Sequence, residues 1–540
     1  MAPIGLLFKL LQINGLWKHE KNLDRDRWTK YARFLYKFCM KTSDRISNQD
    51  RSFFHLLSEA AATNPFSDDY RKLQLKIADC DASIPPEERL QRIVARAGEK
   101  VRKLESEGRA DIRCYGAGDR ELLRRAFLFD IYHRFLPRFD RHIRDQAAAG
   151  EKPVRVPFHE DVFAVFNRRG FSLNEANLYF AFLNQICRAF FFIDRGLVGR
   201  CDSMKKLRRH LWNNVFTSDI RVYERYLWRR MEDFSTMLLG PTGSGKGTAA
   251  AAIGQSGFIP FDEKRGVFVE SYVATYKCLN LSRFPESLIE SELFGHRKGA
   301  FTGAVEAHDG ILSRCSSHGA IFLDEIGDVS VPVQIKLLNV LQERVFSPVG
   351  SHERLRFHGR IIAATNKPID ELRAGGQFRN DLFYRLCSDI ISVPSLKQRI
   401  AEDPAEMDDL LALIVRRIIG EDAPEMVELV RGTLGKSPGS TYTWPGNVRE
   451  LEQAVRRILL TRDYQKESIN AQANLCTRLQ EGLAEGSIDA ETLISGYCAL
   501  LYERYGTYEE VARRTNLDRR TVKSRIAGSP RNRDDRQSFS

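Results

Sequence analysis

Phe234-Ser235-Thr236-Met237-Leu238-Leu239-Gly240-Pro241-Thr242-Gly243-Ser244-Gly245-Lys246-Gly247-Thr248 decides how the rest of this 540-residue chain is read. An apolar run, Phe234 to Leu239, enters a glycine-rich turn, and an Ala-rich segment from Thr248 to Ile253 leaves it. The pattern predicts strand, turn and helix. Successive backbone N–H groups of such a turn converge, and the helix N-terminus adds partial positive charge. The residues from Gly240 to Thr248 are therefore candidates for cradling a polyphosphate, with Lys246 neutralising its outer charge.

Working downstream, short apolar runs alternate with helical segments, which predicts a parallel α/β sheet covered on both faces. The expected strands are Phe234 to Leu239, Val267 to Val269, Ala320 to Leu323 and Ile361 to Ala364. Polar residues follow several of them and place Lys246, Asp324, Glu325, Thr365 and Asn366 on one carboxyl edge, where open α/β folds bind ligands. Ile321-Phe322-Leu323-Asp324-Glu325 is a strand ending in two acids. Beside a phosphate loop, Asp324 is placed to hold Mg²⁺ and Glu325 to deprotonate an attacking water.

Between these strands lie Glu292-Leu293-Phe294-Gly295-His296 and Gly299-Ala300-Phe301-Thr302-Gly303-Ala304. With these blocks the stretch from about 208 to 465 resembles the sigma-54-dependent transcriptional activators, bacterial enhancer-binding proteins of the AAA+ class. The resemblance implies an α/β P-loop AAA+ core with a helical lid, an ATPase using ATP and Mg²⁺, and a ring, a hexamer, in which Phe301 and Thr302 engage sigma-54 RNA polymerase. It also implies roles for single residues. Asn280 matches the switch asparagine that pairs with the Walker B glutamate, here Glu325. Arg379 and Arg385 match arginine fingers given to a neighbouring subunit, Asn366 matches sensor I, and Arg449 in Trp444-Pro445-Gly446-Asn447-Val448-Arg449-Glu450-Leu451 matches sensor II. Two departures stand out. Gly247 follows Lys246 where many phosphate loops carry Ser or Thr, so Thr248 is not assigned to the metal and ligation falls on Asp324. The span Ile253 to Lys277 is longer than the family's and is read as a surface insertion.

Outward from this core, residues 1–205 read as a mostly α-helical regulatory region, with apolar positions three and four apart at Leu122, Leu123, Ala126, Phe127, Ile131 and Phe135. Ser172 and Glu175 have capping-box spacing, and Gln146 to Pro153 reads as a loop. The apolar stretch Ala176 to Ile193 contains Asn184, Gln185 and Arg188, too polar for a membrane span, and reads as a core helix. His133, His159 and Phe190-Phe191-Phe192 are read as structural, since no second ligand sits at metal spacing. The signal this region senses is not legible.

At the other end, residues 206–395 and 396–465 are expected to form the α/β subdomain and its lid, 466–489 a linker, and 490–540 a helix-turn-helix domain binding enhancer DNA. Asp518 is the expected N-cap of a helix from Arg519 to Ala527, over a small core of Ala512, Leu517, Val522 and Ile526. Arg519, Arg520, Thr521, Lys523, Ser524 and Arg525 are its candidate DNA contacts. Gly528 to Ser540 reads as a disordered tail. The formal charge of +12 favours polyanion partners. Ten scattered cysteines without paired spacing read as reduced thiols in a cytoplasmic protein, and nothing in the N-terminal seventeen residues reads as a secretory signal. Two other readings compete: an AAA+ remodeller of a different protein target, and a DNA-binding switch that uses ATP only to assemble.

Overall fold

The computed structural model describes residues 45–436, 442–464, 475, 479–480, 482–483, 486 and 488–527. They fall into two compact units, one within 1–432 and 439–460, the other within 433–438 and 461–540. The tail reading at 528–540, most of the linker reading and the reading of the first seventeen residues lie outside the described residues.

Among the described residues the first unit opens with six helices, Asn48–Ala62, Asp68–Ala78, Pro86–Ser106, Ala117–Ala149, His159–Arg168 and Leu173–Phe190. Their apolar stripes meet in an aromatic core in which Phe54, Phe127, Phe139, Phe166 and Phe180 are fully buried. The Ser172–Glu175 capping box forms in full. The loop expected at Gln146 begins later, because the helix runs to Ala149 and stops at Gly150. Gln146 instead staples the turn, donating to Gly150 O and Lys152 O and accepting from Val154 N. One stretch among the described residues, Leu173–Arg195, is long and apolar enough to cross a membrane, and it is 67% buried within this core.

Five parallel strands follow, in the sheet order Tyr276–Asn280, Ala320–Asp324, Arg360–Thr365, Thr236–Leu239, Asp389–Ser392. Helix Lys246–Gly254 packs on one face through Ala249, Ala250 and Ile253, and helix Val331–Glu343 buries Leu337 and Leu341 among the residues of the other. Among the described residues the lid segment holds four helices, Leu396–Glu402, Glu406–Ile419, Pro424–Lys436 and Asn447–Thr461.

One expected strand is not in this sheet. Val267–Phe268 pairs antiparallel with Phe261–Asp262 in a separate ribbon. The insertion that carries it is not a surface feature either: Ile259, Phe261, Phe268 and Tyr272 are buried in the aromatic core of the N-terminal helices. Phe180 lies 4.5 Å from Phe261 and 6.0 Å from Phe268, centroid to centroid. The apolar alternation that looked like a sheet strand is satisfied by helices instead. Helix Leu173–Phe190 also reaches the end of the phosphate-loop helix, where Gln185 donates to Ser256 O and the buried Arg188 donates to Gln255 O and Gly257 O, both at 2.6 Å.

Candidate functional site

Strand Thr236–Leu239 ends at Gly240, and the turn to Lys246 is made by Gly243 and Gly245, both at positive φ. A side chain at Gly243 would also collide with Gly446 O, 2.3 Å from an added Cβ, so only glycine lets the lid close on this loop. Lys246 opens the helix, almost fully buried, with its ammonium donating to Gly240 O (2.9 Å) and Pro241 O (3.3 Å). Burial pulls its pKa down, while Glu325 and Asp324 act in the opposite direction. Ser244 Oγ is buried without a hydrogen-bond partner. An orphaned hydroxyl, a buried ammonium and the unbonded first-turn N–H groups of a helix make a donor set that fits a polyphosphate.

Across the sheet edge, Asp324 stands in register with Asn280, and Asn280 Nδ2 donates to Asp324 Oδ2 at 3.1 Å. This corrects the expected pairing of Asn280 with Glu325: the register sets the two side chains opposite, while Glu325 has already turned away. Glu325 lies beyond the strand end in the left-handed region, φ 57°, a conformation that costs a non-glycine residue energy and directs its carboxylate elsewhere. Its Oε2 accepts from Asn366 N at 3.2 Å, and Asn366 Nδ2 donates to Thr242 Oγ1 at 2.7 Å. Asn366 thus bridges the phosphate loop and the glutamate. Burial pushes the Glu325 carboxyl above the usual range, against the Asn366 hydrogen bond and the charge of Lys246. Two carboxylates at the mouth of a phosphate loop also suit Mg²⁺, which takes few protein ligands and keeps phosphate and water as the rest. Thr248 is exposed on the outer first turn.

The sequence reading missed Asn447. Its Nδ2 donates to Thr242 O at 2.9 Å, its Oδ1 accepts from Leu396 N, and Val448 N donates to Gly243 O. The signal was present, since asparagine after glycine at the start of a helix tolerates the positive φ that Asn447 adopts. Arg449 follows in the first helical turn, exposed, with its Cβ against Gly243 and its charge acting on Lys246. Arg379 and Arg385 stand apart from the loop. Arg379 pairs with Asp381 at 2.7 Å, and Arg385 donates to Leu341 O. Among the described residues neither bonds Lys246, Asp324 or Glu325.

The Gly299–Ala304 block forms an exposed loop closed by Gly299 N to Ala304 O (2.8 Å) and Ala304 N to Phe301 O (3.0 Å). Phe301 is 38% exposed, its ring resting 4.9 Å from His296, and Thr302 is exposed beside it. His296 anchors the base through Ser291 Oγ, Glu306 O and a two-way backbone pairing with His308.

In the second unit, helices Ala490–Tyr505, Tyr508–Thr515 and Arg519–Ala527 enclose Cys498, Val511 and Val522, with Ala512, Leu517 and Ile526 half-buried around them. Asn516 makes the turn at φ 54°, and Asp518 caps the last helix by accepting from Arg520 N and Thr521 N. The candidate DNA contacts do not share one state. Arg519 pairs with Glu509 and Arg525 with Glu491, and Thr521 is bonded to Asp518. Arg520, Lys523 and Ser524 are exposed, and among the described residues no acid pairs with Arg520 or Lys523.

Residues 219–392 match the sigma-54 interaction domain. The transcriptional regulatory protein ZraR of Salmonella typhimurium is 36% identical over 46% of this chain and 56% of its own length. The nitrogen fixation protein AnfA of Azotobacter vinelandii is 35% identical over 54% of this chain and 52% of its own. For the DNA-binding transcriptional regulator NtrC of Azospirillum brasilense the figures are 35%, 48% and 47%. The chain thus spans about half the length of the curated relatives it matches. A solved structure of NtrX from Brucella abortus in complex with ATP, 22% identical, covers 68% of this chain and 80% of its own at a TM-score of 0.36.

Proposed function

We propose that this chain, whose residues 219–392 match the sigma-54 interaction domain, is an ATP-driven activator of transcription that works from enhancer DNA in the cytoplasm. The observation that carries the reading is the presence, in one compact unit, of a phosphate-loop site with a glutamate held by Asn366 and an exposed Gly299–Ala304 loop.

Lys246, Ser244 and the loop N–H groups bind and orient the phosphates of ATP, and Asp324 is the residue that would hold Mg²⁺. The metal would supply positive charge against the phosphates at this site. Glu325 takes the proton of the attacking water, its carboxylate kept in place by Asn366. Asn280, bonded to Asp324, ties the metal-binding acid to the edge strand. Arg449 senses the phosphates from the lid. Arg379 and Arg385, which stand off their own loop, serve the site of the neighbouring subunit in a ring of six, where a guanidinium stabilises transition-state charge by about 10³ to 10⁵ in rate. Phe301 and Thr302 press on sigma-54 polymerase, and Arg519, Arg520, Thr521, Lys523, Ser524 and Arg525 hold the enhancer.

The test is Thr302→Ala. The variant keeps ATP hydrolysis, assembly and enhancer binding, and fails to form open complexes with sigma-54 polymerase. Promoter opening at the wild-type rate would pass the reading to a remodeller of another protein target.

A further inference from the structure

Within the N-terminal helices lies a solvent-connected cleft of about 670 Å³, a size in the range that holds small organic ligands. Phe66, Phe129, Tyr132, Leu183, Phe190 and Trp212 supply its apolar wall. Most of these rings are half-buried, so the wall is open to an entering molecule and not sealed by packing. Its far end is a π-helical turn, Phe191–Arg195, of the kind often kept where a ligand must be accommodated.

The charges of the cleft are not balanced pair by pair. Asp140 holds Arg195 at 2.7 Å, Glu224 holds Arg125 at 3.0 Å and Asp68 holds Arg209 at 3.2 Å. Glu87 and Asp194 stand exposed at the rim. Arg89 is different. It is 4% exposed, among the described residues it has no carboxylate partner, its Nε has no hydrogen-bond partner, and the one hydrogen bond of its side chain is a 3.5 Å contact to Ile84 O. Its charge acts on the Tyr70 hydroxyl, another group of the same wall, whose pKa burial raises and Arg89 lowers. His133, also on the wall, is pushed down to about 4 by burial and stays neutral at cellular pH. A buried, unpaired guanidinium is costly unless an anion meets it.

We propose that this cleft binds an anionic amphiphile, an organic acid with an aromatic or aliphatic body, whose body lies on the aromatic wall and whose carboxylate or sulfonate is received by Arg89. Residues 1–44 are a poor alternative occupant, because that segment carries nine Lys/Arg against four Asp/Glu and would bring more positive charge to Arg89.

Two probes of one shape separate charge from fit: 5-dimethylaminonaphthalene-1-sulfonate, an anion, and its neutral sulfonamide. The full chain is titrated with each by fluorescence. Saturable binding of one sulfonate per chain is expected, weakened at least tenfold by Arg89→Gln and much less by Arg89→Lys, with sulfonamide binding unchanged in both. Leu128→Trp, which fills the wall, should abolish binding of both probes. Absence of saturable binding to the full chain, equal weakening of both probes by Arg89→Gln, or equal effects of Gln and Lys overturns the proposal.

Discussion

Glu325 shows how a single residue's backbone serves its chemistry. Left-handed at φ 57° and partly withdrawn from water, it binds its proton more tightly than an ordinary glutamate. A base of raised pKa is inactivated by acid sooner, so kcat/KM for ATP should fall on acidification with a midpoint above the usual glutamate value of about 4.3. A pH–rate profile checks this. At neutral pH Glu325→Ala should keep ATP affinity within severalfold and lose hydrolysis by at least about 10², whereas Lys246→Ala should lose affinity itself, as nucleotide titration would measure. These residues were legible in the sequence because each motif is contiguous. The partner of Asn280 was not legible, since it is set by the register between two strands more than forty residues apart, and no local pattern encodes which of two adjacent acids will face it.

At the scale of elements, the central strands were readable as apolar runs, but Tyr276–Asn280 and Asp389–Ser392 were not. Both are edge strands with exposed positions and so lack a continuous apolar signature. Helix Leu173–Phe190 was expected as a core helix and is one, yet its polar interruptions turn out to be its contacts. Arg188, pushed down to about 10 by burial, serves two carbonyls at the end of the phosphate-loop helix. Arg188→Met keeps the bulk and strands both carbonyls, which should lower stability by about 3 kcal/mol, measured by urea unfolding. His142, buried against Phe268, is pushed down to about 4. Its folded pKa lies below the unfolded value of about 6.5, so the unfolded chain binds the extra proton as pH falls from about 6.5 to 4, and stability declines across that window by up to about 3 kcal/mol. Thermal melting of His142→Gln should show a shallower decline than the parent over the same window.

For the molecule as a whole, the two units predict separable losses. Removing residues 490–540 should abolish specific DNA binding in a mobility-shift assay and leave ATP hydrolysis within about twofold, because the three-helix core around Val511 and Val522 shares no residue with the phosphate loop. The first unit does not divide in the same way. The sequence pattern placed a boundary near residue 205, where the periodicity changes from helical to alternating, but periodicity reports local structure and not which core a segment enters. The ribbon at 261–268 belongs by position to the later segment and by packing to the earlier one. Its aromatic rings therefore bear on synthesis and inheritance. As the chain leaves the ribosome, the helices from Asn48 to Phe190 emerge without Phe261, Phe268 and Tyr272, and must wait for about eighty further residues before their interior is filled. Transfer of these helices to another chain would therefore succeed only if the recipient gained the ribbon as well.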